Sequence, residues 1–172
     1  MNQKIRSFLV LIGLGVFSLS LFAEEPKGEK IASQSFKANF KYFKNIEFAS
    51  FSDSSSGIDK VRFYLLRDKE IVVKLPDVYG SMGWSFWEVT AISFKDLNFD
   101  GLKDIIIMAQ YMTGIGPTGS RPFYVKDVFF QDKNGFTKRE ALTKLLNEDR
   151  NYEKLKTIKS IRSYVKKQFK KE

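Results

Sequence analysis

The chain of 172 residues contains no histidine and no cysteine. Their absence removes the Ser-His-Asp triad, the Cys-His pair, imidazole acid–base chemistry and zinc sites built on those side chains. It also leaves no disulfide to staple the fold and no thiol to carry a lipid. Acidic residues are outnumbered, 20 against 29 lysines and arginines, for a formal net charge of +9. Only the stretch from Asp96 to Asp104 is densely acidic. Paired-carboxylate hydrolysis of glycans, which needs two acids at a defined separation, therefore has little to draw on. Glu88, between Trp87 and Val89, is an isolated acid on an expected strand. Long apolar runs are scarce as well. Phe8 to Phe22 is uncharged and apolar, and no second such segment follows, so the remainder reads as a soluble chain.

That single run sets the expected compartment. Lys4 and Arg6 come before it, and Ala23 stands ahead of the polar Glu24-Glu25-Pro26-Lys27. A basic start, a short apolar centre and a small residue at the end are the marks of a secretory signal peptide. The run is about fifteen residues, short of the roughly twenty that span a bilayer. Residues 1–23 are thus expected to be a signal cut after Ala23, with an uncleaved anchor as the alternative. The rest, roughly 150 residues, suffices for one domain with a sizeable core. Residues 24–34 read as a polar, disordered lead-in. Residues 35–172 read as a single β-rich domain, periplasmic or secreted.

Asp96-Leu97-Asn98-Phe99-Asp100-Gly101-Leu102-Lys103-Asp104 matches the first nine positions of a calcium-binding loop. Hard cations take several oxygen ligands at about 2.3–2.6 Å. Asp96, Asn98 and Asp100, at alternate positions, can turn inward together when the backbone curls. Gly101 falls where the loop turns sharply and a Cβ would obstruct. Leu102 is placed to offer its carbonyl, and Asp104 to bind directly or through a water. An EF-hand would close with a glutamate at position twelve. Ile107 stands there instead, within Ile105-Ile106-Ile107-Met108, so the loop joins two strands rather than two helices.

In this respect the segment resembles the calcium hairpin of FG-GAP and integrin-propeller-type repeats. It is also similar to the single such loop of small exported bacterial β-domains, some of them like periplasmic lysozyme inhibitors. The resemblance covers these nine residues. It implies one Ca2+ ion with Asp96, Asn98, Asp100 and Asp104 as ligands. One copy is present, which excludes a full propeller. The plain alternative is an Asn/Asp/Gly turn that ends a strand.

Hydrophobic patterning organises the rest. Phe36, Ala38, Phe40 and Tyr42 alternate with polar residues, as in a strand with one wet face. Further strands are expected near 46–51, 61–66 and 70–75, the last two forming a hairpin about Arg67-Asp68-Lys69. Others span 84–94, 104–111 and 123–130, and Asp132-Lys133-Asn134-Gly135 makes a turn. Then the period changes. Ala141, Leu142, Leu145 and Leu146 mark one helix, and Leu155, Ile158, Ile161, Val165 and Phe169 a second. The expected fold is mainly β, of the α+β class: an antiparallel meander sheet with C-terminal helices packed on it.

Three other segments bear on function. Gly114-Ile115-Gly116-Pro117-Thr118-Gly119 satisfies G-x-G-x-x-G, but a strand rather than a helix is expected after it, and Pro117 removes an amide. Nucleotide binding is not expected. Tyr79-Gly80-Ser81-Met82-Gly83-Trp84-Ser85-Phe86-Trp87 sets aromatics among glycines, and Tyr79, Met82, Trp84 and Trp87 are candidate partner-binding residues. Lys154, Lys156, Lys159, Arg162, Lys166, Lys167, Lys170 and Lys171 make the C-terminus basic. These are solvated lysines of a docked helix, or a weak contact for anionic surfaces; nucleic acid is not expected for an exported chain. The expectation is a non-enzymatic, calcium-binding module of the cell envelope whose partner is a protein or glycan, with lysozyme-type hydrolase inhibition as one form. A carboxylate-dependent glycan hydrolase is the alternative.

Overall fold

The computed structural model describes residues 24–79, 83–114, 121–152 and 154–170. Among them run β1 (Glu29–Lys30), a 3-10 turn (Ala32–Gln34), β2 (Phe36–Ala38), β3 (Ile46–Asp53), β4 (Lys60–Arg67), β5 (Glu70–Lys74) and β6 (Ser85–Lys95). There follow β7 (Asp104–Met112), β8 (Phe123–Gln131), β9 (Phe136–Lys138), α1 (Glu140–Asn147), α2 (Asp149–Tyr152) and α3 (Ile158–Phe169). All pairings are antiparallel. The fold is mainly β with C-terminal helices.

The strands divide between two sheets rather than one. β3, β4 and β5 follow in order, with β1 and β2 both paired to β3, while β6 to β9 form a four-stranded meander. Burial explains the division. β3, β4, β7 and β8 carry buried side chains at adjacent positions, so these strands need cover on both faces. Between the sheets lie Phe48, Phe63, Leu65, Ile105, Ile107, Val125 and Phe129. On the other face of the second sheet, Ile106, Met108, Val128 and Phe130 meet Leu142, Leu146, Leu155, Ile161 and Val165 from the helical segment. Phenylalanine dominates the first core through edge contacts such as Phe48–Phe94 and Phe40–Phe136, with ring centroids 5.3 and 5.1 Å apart.

Three local outcomes differ from the sequence expectation. The polar 24–34 segment is laid against β3 over part of its length. Glu29 and Lys30 pair with Ser52 and Phe51, and the Ile31 amide donates to the Ser50 carbonyl at 2.8 Å. Gly28 has φ +95°, and a Cβ there would fall 2.1 Å from the Ser52 carbonyl oxygen. Main-chain hydrogen bonds hold this segment, which composition does not reveal. The strand expected through Tyr42 stops at Ala38, since the Phe40 amide turns to the Phe43 carbonyl at 2.9 Å. The short β9 and α2 carry too few residues to show a period.

α3 begins where a capping box dictates. The Thr157 hydroxyl accepts from the Ser160 amide and the Ser160 hydroxyl from the Thr157 amide, at 3.1 and 3.2 Å. Among the described residues no helix is long and apolar enough to cross a membrane. The signal-like residues 1–23, the glycine-rich residues 115–120, and Met82 lie outside the described residues.

Candidate functional site

The acidic hairpin joins β6 to β7 where their pairing ends at Lys95 and Asp104. Its carboxylates curl the backbone around themselves. Asp96 accepts from the Phe99 amide at 2.8 Å and the Gly101 amide at 3.1 Å. Asn98 Oδ1 accepts from the Asp100 amide at 3.3 Å, and Asp100 Oδ1 from the Leu102 amide at 2.7 Å. Phe99 and Gly101 take φ +66° and +78°. Glycine enters that region freely, whereas a phenylalanine there costs on the order of 1 kcal/mol.

Asp104 anchors this loop to the sheet. It is fully buried, with Oδ2 accepting from the Leu97 amide at 2.8 Å and Oδ1 from the Gln131 amide at 3.1 Å. Burial pushes its carboxyl up to about 6; the two amides oppose that rise, and the charges of Asp100 and Asp96 add to it. Three carboxylates, the Asn98 side-chain carbonyl and the Leu102 main-chain carbonyl make an oxygen-only set of the kind calcium prefers. The amide bonds leave each carboxylate oxygen a second lone pair. As the side chains stand, Asn98 Nδ2 donates to Asp100 Oδ2 at 2.8 Å. Among the described residues no three acidic groups are gathered as around an ion.

The hairpin tip leans on the basic helix. Phe99 is 51% exposed, with Lys166 Nζ 4.8 Å and Lys170 Nζ 5.8 Å from its ring centroid. Each such exposed contact contributes roughly 0.5–1 kcal/mol. Inward, Ile161 and Val165 are buried, so α3 is docked by its apolar stripe.

An aromatic cavity opens at the other end of β6, about 35 Å along the strand. Tyr79, Trp84, Phe123, Tyr124 and Val125 wall a space of about 350 Å³, and Asn147 and Asp149 complete it. The Trp84 ring lies 6.0 Å from Tyr79 at 70° and 4.8 Å from Phe123 at 88°, centroid to centroid. Of the candidate partner-binding residues, then, Tyr79 and Trp84 come together. Trp87 is 55% exposed and lines no part of this cavity. Glu88 is exposed opposite Gln110, outside the cavity as well.

Sequence reading missed Phe123, Tyr124, Asn147 and Asp149 as cavity residues. Asn147 follows from how α1 packs, and Asp149 opens α2 just beyond it. Asn147 closes the open edge of β8, its Oδ1 accepting from the Lys126 amide at 2.9 Å and its Nδ2 donating to the Lys126 carbonyl at 2.8 Å. No sequence pattern marks that contact. Asp127 did leave a signal, a charge in phase with the apolar Phe123, Val125 and Phe129. It is buried and accepts from the Tyr79 amide and, at 3.0 Å, from the Thr143 hydroxyl. Nearby, the buried Tyr111 hydroxyl makes no hydrogen bond among the described residues. Burial, and then the charges of Asp127 and Asp77, hold its pKa well above the usual tyrosine value.

Asp127 predicts a pH dependence. Burial pushes its carboxyl up from 3.8 to about 6, against the Tyr79 amide, Lys138 and Thr143. The folded state therefore binds this proton more tightly than the unfolded chain. Its contribution to stability falls as pH rises from about 4 to about 6 and is level above that, a loss of about 3 kcal/mol at most. In Asp127→Asn the amide can still accept from Tyr79 and donate to the Thr143 hydroxyl, but it does not ionise. Melts of both proteins should show the variant gaining on wild type between about pH 4 and about pH 7. Parallel curves would contradict the assignment.

Comparison of the chain with protein-family models, with curated proteins and with solved structures finds no match.

Proposed function

We propose that this chain is an exported, calcium-stabilised β-domain that acts in the cell envelope by binding and not by catalysis. The observation that carries the reading is the Asp96–Asp104 hairpin: a hard-oxygen donor set in calcium-loop spacing, curled about Gly101 and leading straight into β7. Asp96, Asn98, Asp100, the Leu102 carbonyl and Asp104 would hold the ion. When bound, it neutralises the clustered carboxylates and ties the β6–β7 turn to the sheet through Asp104. Export is supported by the signal-like residues 1–23, and the likeness of the hairpin to that of lysozyme-inhibitor-like proteins makes a hydrolase one form of partner. The Tyr79–Trp84 surface is the contact face. Glu88, exposed and apart from the cavity, gives the hydrolase alternative no support.

The test is to incubate the protein in millimolar calcium with muramidases of the lysozyme type and with a panel of envelope glycans. The expected result is a stoichiometric complex without turnover, weakened by Trp84→Ala in a variant that still melts cooperatively. Glycan turnover abolished by Glu88→Gln would overturn the reading. Intact mass of the exported product should correspond to a chain beginning at Glu24.

A further inference from the structure

Two exposed aromatic side chains share one end of the paired sheets. Tyr42, 48% exposed, stands on the loop between β2 and β3, and Phe99, 51% exposed, on the tip of the β6–β7 hairpin. The two loops are neighbours. Lys103 Nζ donates to the Asn39 carbonyl at 3.2 Å, and beneath them the Phe40 and Phe94 rings meet with centroids 5.3 Å apart. Both loops are closed by their own hydrogen bonds. The Asn45 amide donates to Asn39 Oδ1 at 2.9 Å, and Asp96 and Asp100 accept from the Phe99, Gly101 and Leu102 amides. Phe99 is thus held at φ +66° with half its surface in water, a strained position that burial does little to offset.

Both rings are set among lysines. Lys41 Nζ lies 5.9 Å from the Tyr42 centroid, and Lys166 and Lys170 Nζ lie 4.8 and 5.8 Å from that of Phe99. Lys44 on the same loop as Tyr42 and Lys167 on α3 are exposed as well. Among the described residues none of these lysines makes an ion pair. The apolar stripe of α3 is already covered through Ile161 and Val165, so the helix offers a partner its outer lysines. The hairpin acids are turned inward: both oxygens of Asp96 accept main-chain amides, and those of Asp100 accept from the Leu102 amide and Asn98 Nδ2.

Exposed rings beside ammonium groups suit a surface that offers phosphates and an apolar layer close together. A soluble polyanion would engage the lysines and leave the rings in water. Single-stranded nucleic acid would stack its bases on the rings, where the ammonium groups already sit. A bilayer uses both, because lysine stems reach the head-group phosphates while a ring enters the interface. We infer that this end of the molecule is a face for peripheral contact with a bilayer of anionic phospholipid, anchored by Phe99 and Tyr42. It lies at the opposite end of β6 from the Tyr79–Trp84 surface and is independent of it.

The test is co-sedimentation with lipid vesicles, carried out in chelator so that the outcome does not depend on calcium. Vesicles of phosphatidylglycerol mixed with phosphatidylcholine should bind the protein, vesicles of phosphatidylcholine alone should not, and binding should fall as salt rises. Lys166→Gln with Lys170→Gln should weaken binding about 25-fold, from about fivefold for each lysine. Lys60→Gln, at the far end of β4, should change it by less than about twofold. Phe99→Ala should weaken it about fivefold to tenfold. These side chains are exposed or half-exposed, and cooperative melting confirms that each variant is folded. Equal binding to neutral vesicles, an equal loss in Lys60→Gln, or an unchanged Phe99→Ala would overturn the inference. So would a single-stranded oligonucleotide that binds through Phe99 while vesicles do not.

Discussion

Ile161→Asp is expected to destabilise the whole domain by about 3–5 kcal/mol. Ile161 is fully buried, in a cluster with Leu97, Ile106, Met108, Val128 and Phe130. The substitution removes that apolar burial and sets a carboxylate among apolar side chains. The outer face of the same helix should behave differently. Lys167 is exposed, and its reversal to glutamate is expected to be nearly neutral. Lys166→Glu should cost no more than about 1 kcal/mol, for the lost contact with the Phe99 ring. Denaturant melts of the three variants check this. A cooperative Ile161→Asp variant with wild-type stability would mean that α3 is not docked.

The next largest effect belongs to Asp104, and it separates structure from metal. Both of its oxygens accept buried amides, from Leu97 and Gln131. Asp104→Ala leaves two donors without acceptors, at about 1–3 kcal/mol each, with or without an ion. Asp100 is exposed and serves only the turn itself, so Asp100→Ala in chelator should cost about 1 kcal/mol or less. The difference should appear when both variants are unfolded in chelator. Equal losses would contradict the structural role of Asp104.

How far these features are legible in the sequence depends on where their information lies. The acidic β6–β7 hairpin and the docked helix α3 are local, and spacing alone reveals them: Asp and Asn at alternate positions before Gly101, and Leu155, Ile158, Ile161 and Val165 at helical intervals. The division into two sheets is less plain, because a strand buried on both faces, such as β7, shows an apolar run instead of an alternation. The aromatic cavity is half legible. Tyr79 and Trp84 stand out among glycines, but Asn147 reaches them only through the packing of α1 against the open edge of β8, and Asp149 through the start of α2 beyond it. Trp87 misleads, since the β6–β7 register shifts between Phe86 and Glu88 and Trp87 lies exposed, outside the cavity. The strand role of Glu29 and Lys30 rests on main-chain pairing with Ser52 and Phe51 and on the Lys30–Glu47 ion pair, and two residues are too few to show a period.

Calcium-dependent melting tests the central claim most directly. An ion that binds only the folded chain adds about 2.7 kcal/mol at a hundred times its dissociation constant. A loop with no glutamate at position twelve should have a constant of about 10⁻⁴–10⁻³ M, so stabilisation should build through the millimolar range. Wild type and Asp100→Ala are to be melted in chelator and in millimolar calcium. The account predicts a clear upward shift with calcium for wild type and little or none for Asp100→Ala. Wild-type melts that superimpose with and without calcium would contradict it.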